Sequence, residues 1–149
     1  IRSWSENKKV ILRNPNSTRP WQHVLEPLSG YLKLAASLCD STVCSGEAFN
    51  FGPFDEQNRS VLELVNRLKE HFIDVEFIIE NRLNKKQKES KLLKLNCDKA
   101  LSELDWLPRL SFNKTVEYTA NWYLKYVQNK EEIINFTKSQ ILNYENINN

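Results

Sequence analysis

The sequence contains no methionine and only three glycines among its 149 residues. The glycines, at positions 30, 46 and 52, stand too far apart for a dinucleotide-binding turn, which needs closely spaced glycines between a strand and a helix. We therefore expect no such cofactor to bind to this chain alone. Because no methionine opens the chain and Ile1-Arg2-Ser3-Trp4 reads as the last turn of a helix, we also expect a segment of a longer protein.

The three cysteines, Cys39, Cys44 and Cys97, are an odd number at irregular spacing. This pattern gives neither a disulfide framework nor a set of zinc ligands, so we expect reduced thiols in a cytoplasmic protein and no metal site. No apolar run approaches the roughly 20 residues that cross a bilayer. The 21 basic and 19 acidic residues nearly cancel, whereas a dedicated nucleic-acid binder concentrates basic charge on one face. The composition thus points to neither a membrane nor a nucleic-acid partner.

The hydrophobic patterns predict a mixed α/β segment with short strands and about five helices. The run Val10-Ile11-Leu12 is typical of a strand, and turn-forming residues 13–16 follow it. A helix that starts near Pro27 and runs to about Cys39 is predicted to bury one face. That face holds Leu28, Tyr31, Leu32, Ala35 and Leu38.

The rest of the chain continues with shorter elements. A strand is predicted over residues 48–51, and Ser60 with Glu63 forms the capping box of the next helix. Further strands are predicted over residues 75–79 and 92–95, a short helix after Asn96, and longer helices over residues 116–127 and 133–144. Residues 143–149, rich in asparagine, are expected to fray. Strands and helices do not alternate as in a complete doubly wound sheet, so we treat residues 1–149 as an appendage to such a sheet.

Residues 13–31 read RNPNSTRPWQHVLEPLSGY and resemble the CDP-glucose 4,6-dehydratases, a family of the extended short-chain dehydrogenase/reductase superfamily. Shorter matches follow in order at family spacing: residues 49–53 (FNFGP), 93–100 (LKLNCDKA), 104–108 (LDWLP) and 119–123 (TANWY). The run RPWQHV is the most specific piece, because related sugar-nucleotide epimerases and dehydratases vary it. The resemblance implies an α/β fold, the C-terminal substrate-binding portion of an extended short-chain dehydrogenase without its Rossmann core.

The resemblance also implies a function for the intact protein. It would be an NAD-dependent lyase that converts CDP-glucose to CDP-4-keto-6-deoxyglucose and water, for the deoxysugars of surface polysaccharides. NAD would lie in an N-terminal Rossmann domain, and relatives commonly form homodimers. This chain by itself is then expected to be inactive. The alternatives are a fragment of another sugar-nucleotide epimerase or dehydratase, and a non-catalytic remnant or interaction module.

The resemblance implies substrate-binding residues in this chain and no catalytic ones. Arg19 stands where the superfamily places a phosphate-binding arginine, and a guanidinium makes bidentate, charge-assisted bonds to a pyrophosphate. Leu12 and Arg13 lie in the segment that flanks the nucleobase in related enzymes. Asn50 is expected to reach a ligand hydroxyl, and Arg59 to contact ribose or phosphate. For Arg19 and Arg13, a purely structural surface role is the alternative.

A second set of phosphate- or ribose-binding groups is implied by a polar loop that holds Lys86, Lys88 and Glu89. The family tends to carry a His-Glu pair where this chain has Lys88-Glu89, and an aspartate is common at the position of Asn96. These departures leave base and ribose recognition open. A solvated loop without a binding role is the alternative.

Two other features have residue types used in catalysis. His23 is interpreted as a packed, hydrogen-bonded side chain, because the acid–base groups of the family lie outside the part that this chain resembles. Tyr126 and Lys130 have the Tyr-x-x-x-Lys spacing of the superfamily's catalytic pair, in which lysine lowers the tyrosine pKa. They stand late in the chain, far from any cofactor motif. We interpret that spacing as chance.

Overall fold

Four three-residue strands make two separate ladders in the computed structural model, which describes residues 1–41, 43–54, 58–80 and 94–147. The strands are β1 (Val10–Leu12), β2 (Thr18–Pro20), β3 (Asn58–Ser60) and β4 (Phe77–Ile79). β1 pairs in parallel with β4, so that Val10 lies opposite Phe77. β2 pairs antiparallel with β3, and this register places Arg19 opposite Arg59.

Helices account for about half of the described residues. They are α1 (Arg2–Ser5), α2 (Leu25–Asp40), α3 (Val61–Lys69), α4 (Asp98–Leu104), α5 (Phe112–Gln128) and α6 (Ile133–Glu145), with a 3-10 turn at Lys130–Glu132. The predicted capping box opens α3: Glu63 N donates to Ser60 Oγ over 3.1 Å, and Ser60 N donates to Glu63 Oε2 over 2.8 Å. The Ser111 hydroxyl caps α5 by accepting from Lys114 N. Both caps satisfy N–H groups that a helix start leaves without partners.

Two apolar clusters form the core of the described chain. The first joins α1, β1, α3 and α5, and Trp4 also donates its indole N–H to the Glu76 carbonyl over 2.9 Å. In the second, the ring of Phe51 meets that of Trp106 edge-on, with centroids 5.0 Å apart, a favoured aromatic geometry. The first cluster holds Trp4, Leu12, Val65, Leu68, Phe112, Val116 and Ala120, and the second holds Cys44, Phe51, Ala100, Leu104 and Trp106.

The predicted helix near residue 27 is α2, but its apolar stripe faces outward. Leu32 is 73% exposed, and the face turned toward the described chain carries the buried Glu26 and Gly30 instead. The prediction that the stripe is buried is therefore wrong for the described residues. Periodicity identifies the apolar side of a helix and does not identify what covers it. The exposed stripe consists of Val24, Leu28, Tyr31, Leu32, Ala35 and Leu38.

The predicted strands are shorter or absent where no neighbouring segment lies alongside. Residues 48–51 form no ladder with any described segment, and residues 94 and 95, the described part of a third predicted strand, are irregular. The strand predicted over residues 75–79 spans only Phe77–Ile79. A strand requires a partner backbone for its N–H and C=O groups, which alternation of side chains alone does not supply.

The end of the chain also differs from its prediction. α6 continues to Glu145, and Tyr144 is only 4% exposed. The Tyr144 hydroxyl donates to Glu26 Oε2 over 2.9 Å, which ties the last turn of α6 to α2. The expectation that the chain frays from residue 143 is therefore wrong up to residue 145, and residues 148–149 lie outside the described residues.

The Gly30 position leaves no space for a side chain, and we expect Gly30→Ala to destabilise the fold. A Cβ at Gly30 would lie 2.3 Å from Cδ1 of Phe51 and 2.6 Å from two other atoms of that ring. The ring is packed against Tyr31, Phe49 and Trp106, so it has little freedom to move. The expected loss is about 2–3 kcal/mol in the free energy of unfolding, although alanine is the better helix former by about 1 kcal/mol.

Urea denaturation of the two chains measures this loss. In a Phe51→Ala background, where the ring is gone, the same Gly30→Ala change should cost much less. An equal loss in both backgrounds would contradict the clash as its cause.

Candidate functional site

The β2–β3 ladder brings together two of the predicted site residues, Arg19 and Arg59. They are directly opposite in an antiparallel pair, so their side chains leave the same face with Cβ atoms about 4.5–5.5 Å apart. Both residues are half-buried. Arg19 Nη1 donates to the Thr18 carbonyl over 2.7 Å. The register therefore places two cationic residues across from each other in this ladder.

Arg59 is held at its backbone and at its side chain. Trp21 donates its indole N–H to the Arg59 carbonyl over 2.9 Å, which links the residue after β2 to the middle of β3. The guanidinium carbon of Arg59 lies 5.9 Å from the ring centroid of Phe112, within the range of a cation–π contact. Phe112 belongs to the first core cluster, so packing fixes the position of the ring that the Arg59 guanidinium contacts.

Leu12 and Arg13 lie at the end of β1, in the other ladder. The side chain of Leu12 is buried in the first core cluster, and its carbonyl accepts Glu80 N over 2.9 Å. Leu12 therefore presents no side chain to a ligand. The side chain of Arg13 is exposed. No described contact joins Arg13 to the Arg19–Arg59 pair.

Asn50 lies in an irregular segment that two side-chain amides fix in place. Its own Nδ2 donates to the Asn96 carbonyl over 3.1 Å, and Gln22 Nε2 donates to the Phe51 carbonyl over 3.0 Å. Gln22 follows β2 closely in sequence, so it links the segment of Asn50 to the strand of Arg19. Asn50 is exposed. The remaining predicted site residues, Lys86, Lys88 and Glu89, lie outside the described residues.

A groove of about 1020 Å³ opens beside Arg59, between α3 and the start of α5. Its volume is at the upper end of the range for small-molecule sites. Arg67 and Arg109 also line it, but Arg67 is paired with Glu70 over 2.7 Å and Arg109 donates to the Tyr144 and Glu145 carbonyls. The other lining residues are Phe54, Glu63, Asn66, Leu110, Ser111, Phe112 and Asn113.

Comparison with known proteins gives this geometry a context. No protein-family model matches the chain. A curated relative, CDP-glucose 4,6-dehydratase of Salmonella typhimurium, is 35% identical over 145 residues, which are 97% of this chain and 40% of that protein. The resemblance to the CDP-glucose 4,6-dehydratases is confirmed.

Solved structures show the same fold. The dTDP-glucose 4,6-dehydratase of Bacillus anthracis, solved in complex with NAD, matches with a TM-score of 0.57 at 23% identity, over 87% of this chain and 38% of that one. The PbgP3 protein of Burkholderia pseudomallei matches with a TM-score of 0.61 at 20% identity, over 88% and 38%. The predicted fold, the C-terminal part of an extended short-chain dehydrogenase, is confirmed. This chain spans about two fifths of the length of each of these relatives.

The family-like run after Arg19 contains a residue whose role the sequence did not reveal, Glu26. Its carboxylate is 1% exposed and accepts Arg109 N, Leu110 N and the Tyr144 hydroxyl. Burial raises the pKa of Glu26 above its ordinary 4.5, and the bonds from Leu110, Tyr144 and Arg109 oppose that rise. The only sign of this role in the sequence is that Glu26 is an acidic residue in the first turn of a largely apolar helix. Its partners lie more than 80 positions away, so sequence spacing could not identify them.

His23 is packed as the sequence suggested. It is 8% exposed, its Nδ1 accepts Leu25 N over 3.4 Å, and its ring meets Tyr118 edge-on with centroids 5.6 Å apart. Burial lowers the pKa of His23 below 6.5, so the ring is neutral at pH 7. Its contacts account for its position without a catalytic role.

Tyr126 and Lys130 have the spacing of a catalytic motif; Tyr126 lies in the last turn of α5, and Lys130 begins the 3-10 turn that follows. Lys130 Nζ sits 5.1 Å from the Tyr126 ring centroid, and that ring stacks on Trp122 at 5.3 Å. These are surface contacts of a cation and two aromatic rings. The interpretation of the spacing as chance stays a prediction.

Other features of the described chain bear on ligands and partners. The three cysteines are free thiols. Across the described ranges, no three side chains of the metal-ligating types come together. Within the same ranges, every helix is too short or too polar to cross a membrane.

Proposed function

We propose that the chain is the substrate-binding portion of a CDP-glucose 4,6-dehydratase. Two findings support this: the identity of 35% along 97% of the chain, and the pairing of Arg19, the first residue of the RPWQHV run, with Arg59 across the β2–β3 ladder. In this proposal Arg19 binds the diphosphate of the sugar nucleotide. Arg13 and the backbone of Leu12 lie beside the cytosine, and Asn50 reaches a hydroxyl group.

The observation that carries the proposal is the support around Arg19. The three residues that follow it are Pro20, Trp21 and Gln22, and the last two bind the backbone of Arg59 and Phe51. A phosphate-binding group needs neighbours that fix its position before the ligand arrives. The RPWQHV run thus contains both the proposed phosphate-binding residue, Arg19, and two side chains, Trp21 and Gln22, that fix the neighbouring backbone. Lys86, Lys88 and Glu89 stay predictions from the sequence.

The rest of the intact protein is proposed to supply NAD and the catalytic groups. The three glycines of this chain form no turn between a strand and a helix that would fit a dinucleotide, so the cofactor is assigned to another part. The exposed stripe of α2 is a surface that such a part would cover, because a contiguous apolar face of this kind normally contacts another protein surface. In the cytoplasm, the proposed location, the free thiols would stay reduced.

The protein encoded by the complete gene provides the test. Incubated with NAD and CDP-glucose, it should yield a product that has lost one molecule of water, detected by mass spectrometry. dTDP-glucose and GDP-glucose, assayed in parallel, should react more slowly. The present chain, assayed alone, should convert none of them. Faster conversion of dTDP-glucose or GDP-glucose would contradict CDP-glucose as the substrate. Conversion by the present chain alone would contradict the assignment of the catalytic groups to another part of the protein.

A further inference from the structure

Another cavity of the described chain lies apart from the groove beside Arg59, where the start of α2 meets α5 and α6. Its volume is about 410 Å³, which is within the range of small-molecule sites. We propose that this cavity, called the His23 cavity below, binds an uncharged aromatic molecule whose carboxamide or similar group both accepts and donates a hydrogen bond. The residues that line it include His23, Leu25, Trp122, Tyr123, Gln140 and Ile141.

The aromatic wall of the His23 cavity is fixed before any ligand binds. The Trp122 indole N–H donates to Thr137 Oγ1 over 2.9 Å, which joins α5 to α6. The same indole stacks on Tyr126 with ring centroids 5.3 Å apart, and it meets the Tyr123 ring edge-on at 5.2 Å. A wall that is already ordered reduces the entropy lost when a ligand binds.

His23 provides a hydrogen-bond donor for which the described residues offer no acceptor. Its Nδ1 accepts Leu25 N over 3.4 Å, and burial lowers its pKa, so the neutral ring carries its proton on Nε2. The residue is 8% exposed, but Nε2 is not among the fully enclosed side-chain atoms that lack a partner. A ligand in the cavity can therefore reach this N–H.

Gln140 provides an acceptor from α6. Its Nε2 donates to the Tyr118 carbonyl over 2.8 Å, which fixes the orientation of the amide. Its Oε1 has no donor in the described part of the chain and is likewise not fully enclosed, although the residue is only 8% exposed. The amide of Gln22 also lines the cavity, but its Oε1 is fully enclosed. We therefore assign the ligand contact to Gln140 and none to Gln22.

The lining restricts the chemical class of the ligand. None of the described lining residues carries a charge at pH 7, so a charged ligand would lose its hydration without gaining a counter-ion. A sugar would bury several hydroxyl groups against the two polar groups that lack partners, and most of those hydroxyls would stay unbonded. An aromatic ring suits the rings of Trp122 and Tyr123. A carboxamide matches the polar pair, because its oxygen accepts from His23 Nε2 and its N–H₂ donates to Gln140 Oε1.

Titration of the ¹⁵N-labelled chain with three benzene derivatives tests this class. The chain has four tryptophans, and Trp122→Phe identifies the indole N–H signal of Trp122. Benzamide should shift that signal with a dissociation constant of about 1 mM or below. Benzoate has the same shape with a charge and should bind at least about tenfold more weakly. Acetophenone keeps the acceptor without the donor and should bind about threefold to tenfold more weakly.

Variants of the two polar residues test the assigned contacts. His23→Asn keeps an acceptor near the Nδ1 position and removes the Nε2 donor, so it should weaken benzamide and acetophenone alike by about fivefold or more. Gln140→Met should weaken benzamide by a similar factor and leave acetophenone unchanged within about twofold. His71→Asn and Gln128→Met, which replace residues outside the cavity, are the matched controls and should change neither affinity.

Several results would overturn the proposal. One is the absence of a shift of the Trp122 signal at 10-fold the expected dissociation constant of benzamide, about 10 mM. Another is benzoate or glucose binding as tightly as benzamide. A third is equal weakening of benzamide and acetophenone by Gln140→Met, which would indicate a general change of the fold. The titration is repeated with the protein encoded by the complete gene, and binding by the present chain alone would show that another part covers the cavity.

Discussion

Replacing Glu26 with alanine is expected to lower the free energy of unfolding by about 3–5 kcal/mol, because several buried donors would lose their acceptor at once. The carboxylate accepts Arg109 N over 2.9 and 3.1 Å, Leu110 N over 2.6 Å and the Tyr144 hydroxyl over 2.9 Å. Backbone N–H groups cannot turn toward water without moving the segment before α5. The loss is therefore larger than that of an ordinary surface substitution.

The network around Glu26 holds three parts of the chain together. Tyr144 Oη lies 3.1 Å from Ser29 Oγ, and Trp106 donates its indole N–H to the same Ser29 oxygen over 2.9 Å. Through these contacts α2, the segment before α5 and the last turn of α6 share one set of hydrogen bonds. Such coupled bonds are lost together when one central member is removed.

Chemical denaturation measures the effect of Glu26→Ala, and Glu103→Ala is its control. Glu103 is an exposed acidic residue of α4, so its removal should change stability by less than about 0.5 kcal/mol. Glu26→Gln keeps one acceptor oxygen but turns an amide N–H₂ toward donors, and should cost about 2–3 kcal/mol. A Glu26→Ala chain within about 1 kcal/mol of the unsubstituted one would contradict the role of the network.

A pH series adds a check with a defined sign. Burial raises the pKa of Glu26 above 4.5 in the folded chain, so the folded state holds this proton more tightly than the unfolded state. The contribution of the group to stability is full below about pH 4.5 and is lost as pH rises through the folded-state pKa. Relative to Glu26→Gln, the unsubstituted chain should therefore lose stability across that interval as pH rises. A gain across it would contradict the raised pKa.

The second large effect is expected at Tyr144, whose replacement by alanine should cost about 3–5 kcal/mol. The side chain is 4% exposed, and the guanidinium carbon of Arg109 lies 5.3 Å from its ring centroid. Burial raises the pKa of Tyr144 to about 12, so its hydroxyl stays protonated at neutral pH and donates to Glu26. Alanine would remove both the packed ring and this donor.

Two further variants separate the parts of the Tyr144 contribution. Tyr144→Phe keeps the ring and should cost only about 1–2 kcal/mol, the value of one buried hydrogen bond. Leu142→Ala is the control for removing a large side chain from α6, because Leu142 is 58% exposed. Its expected cost is below about 1 kcal/mol. Thermal or urea unfolding measures the free energy of unfolding of all three variants. Equal losses for Leu142→Ala and Tyr144→Ala would show that the buried contacts of Tyr144 contribute no more stability than an exposed side chain of α6.

Local signals in the sequence predicted the features that depend on neighbours in the chain. The capping box of Ser60 and Glu63 needs residues only three apart, and it is present in the structure. The strand Val10–Leu12 and the position of α2 were likewise set by short-range patterns. For these features, local hydrogen bonds and periodicity contain the needed information.

Features that depend on distant partners were not accessible in this way. Three features depend on which segments meet in space. They are the outward direction of the α2 stripe, the pairing of Arg19 with Arg59 and the hydrogen bonds that Glu26 accepts. Arg19 itself was identified through the family resemblance, and the opposing Arg59 gained its specific place only from the β2–β3 register. Residues 48–51 have strand-like alternation, but no described segment pairs with them.

The bond between Glu26 and Tyr144 joins positions 118 residues apart, and this separation has a consequence for synthesis. A chain made from its N-terminus presents α2 long before α6 exists, so Glu26 lacks one of its donors until residue 144 has been translated. Contacts of such long sequence separation form late, because a large loop must first be closed. Until then the carboxylate of Glu26 in α2 is incompletely bonded. We expect nascent chains that stop before residue 144 to be sensitive to proteases.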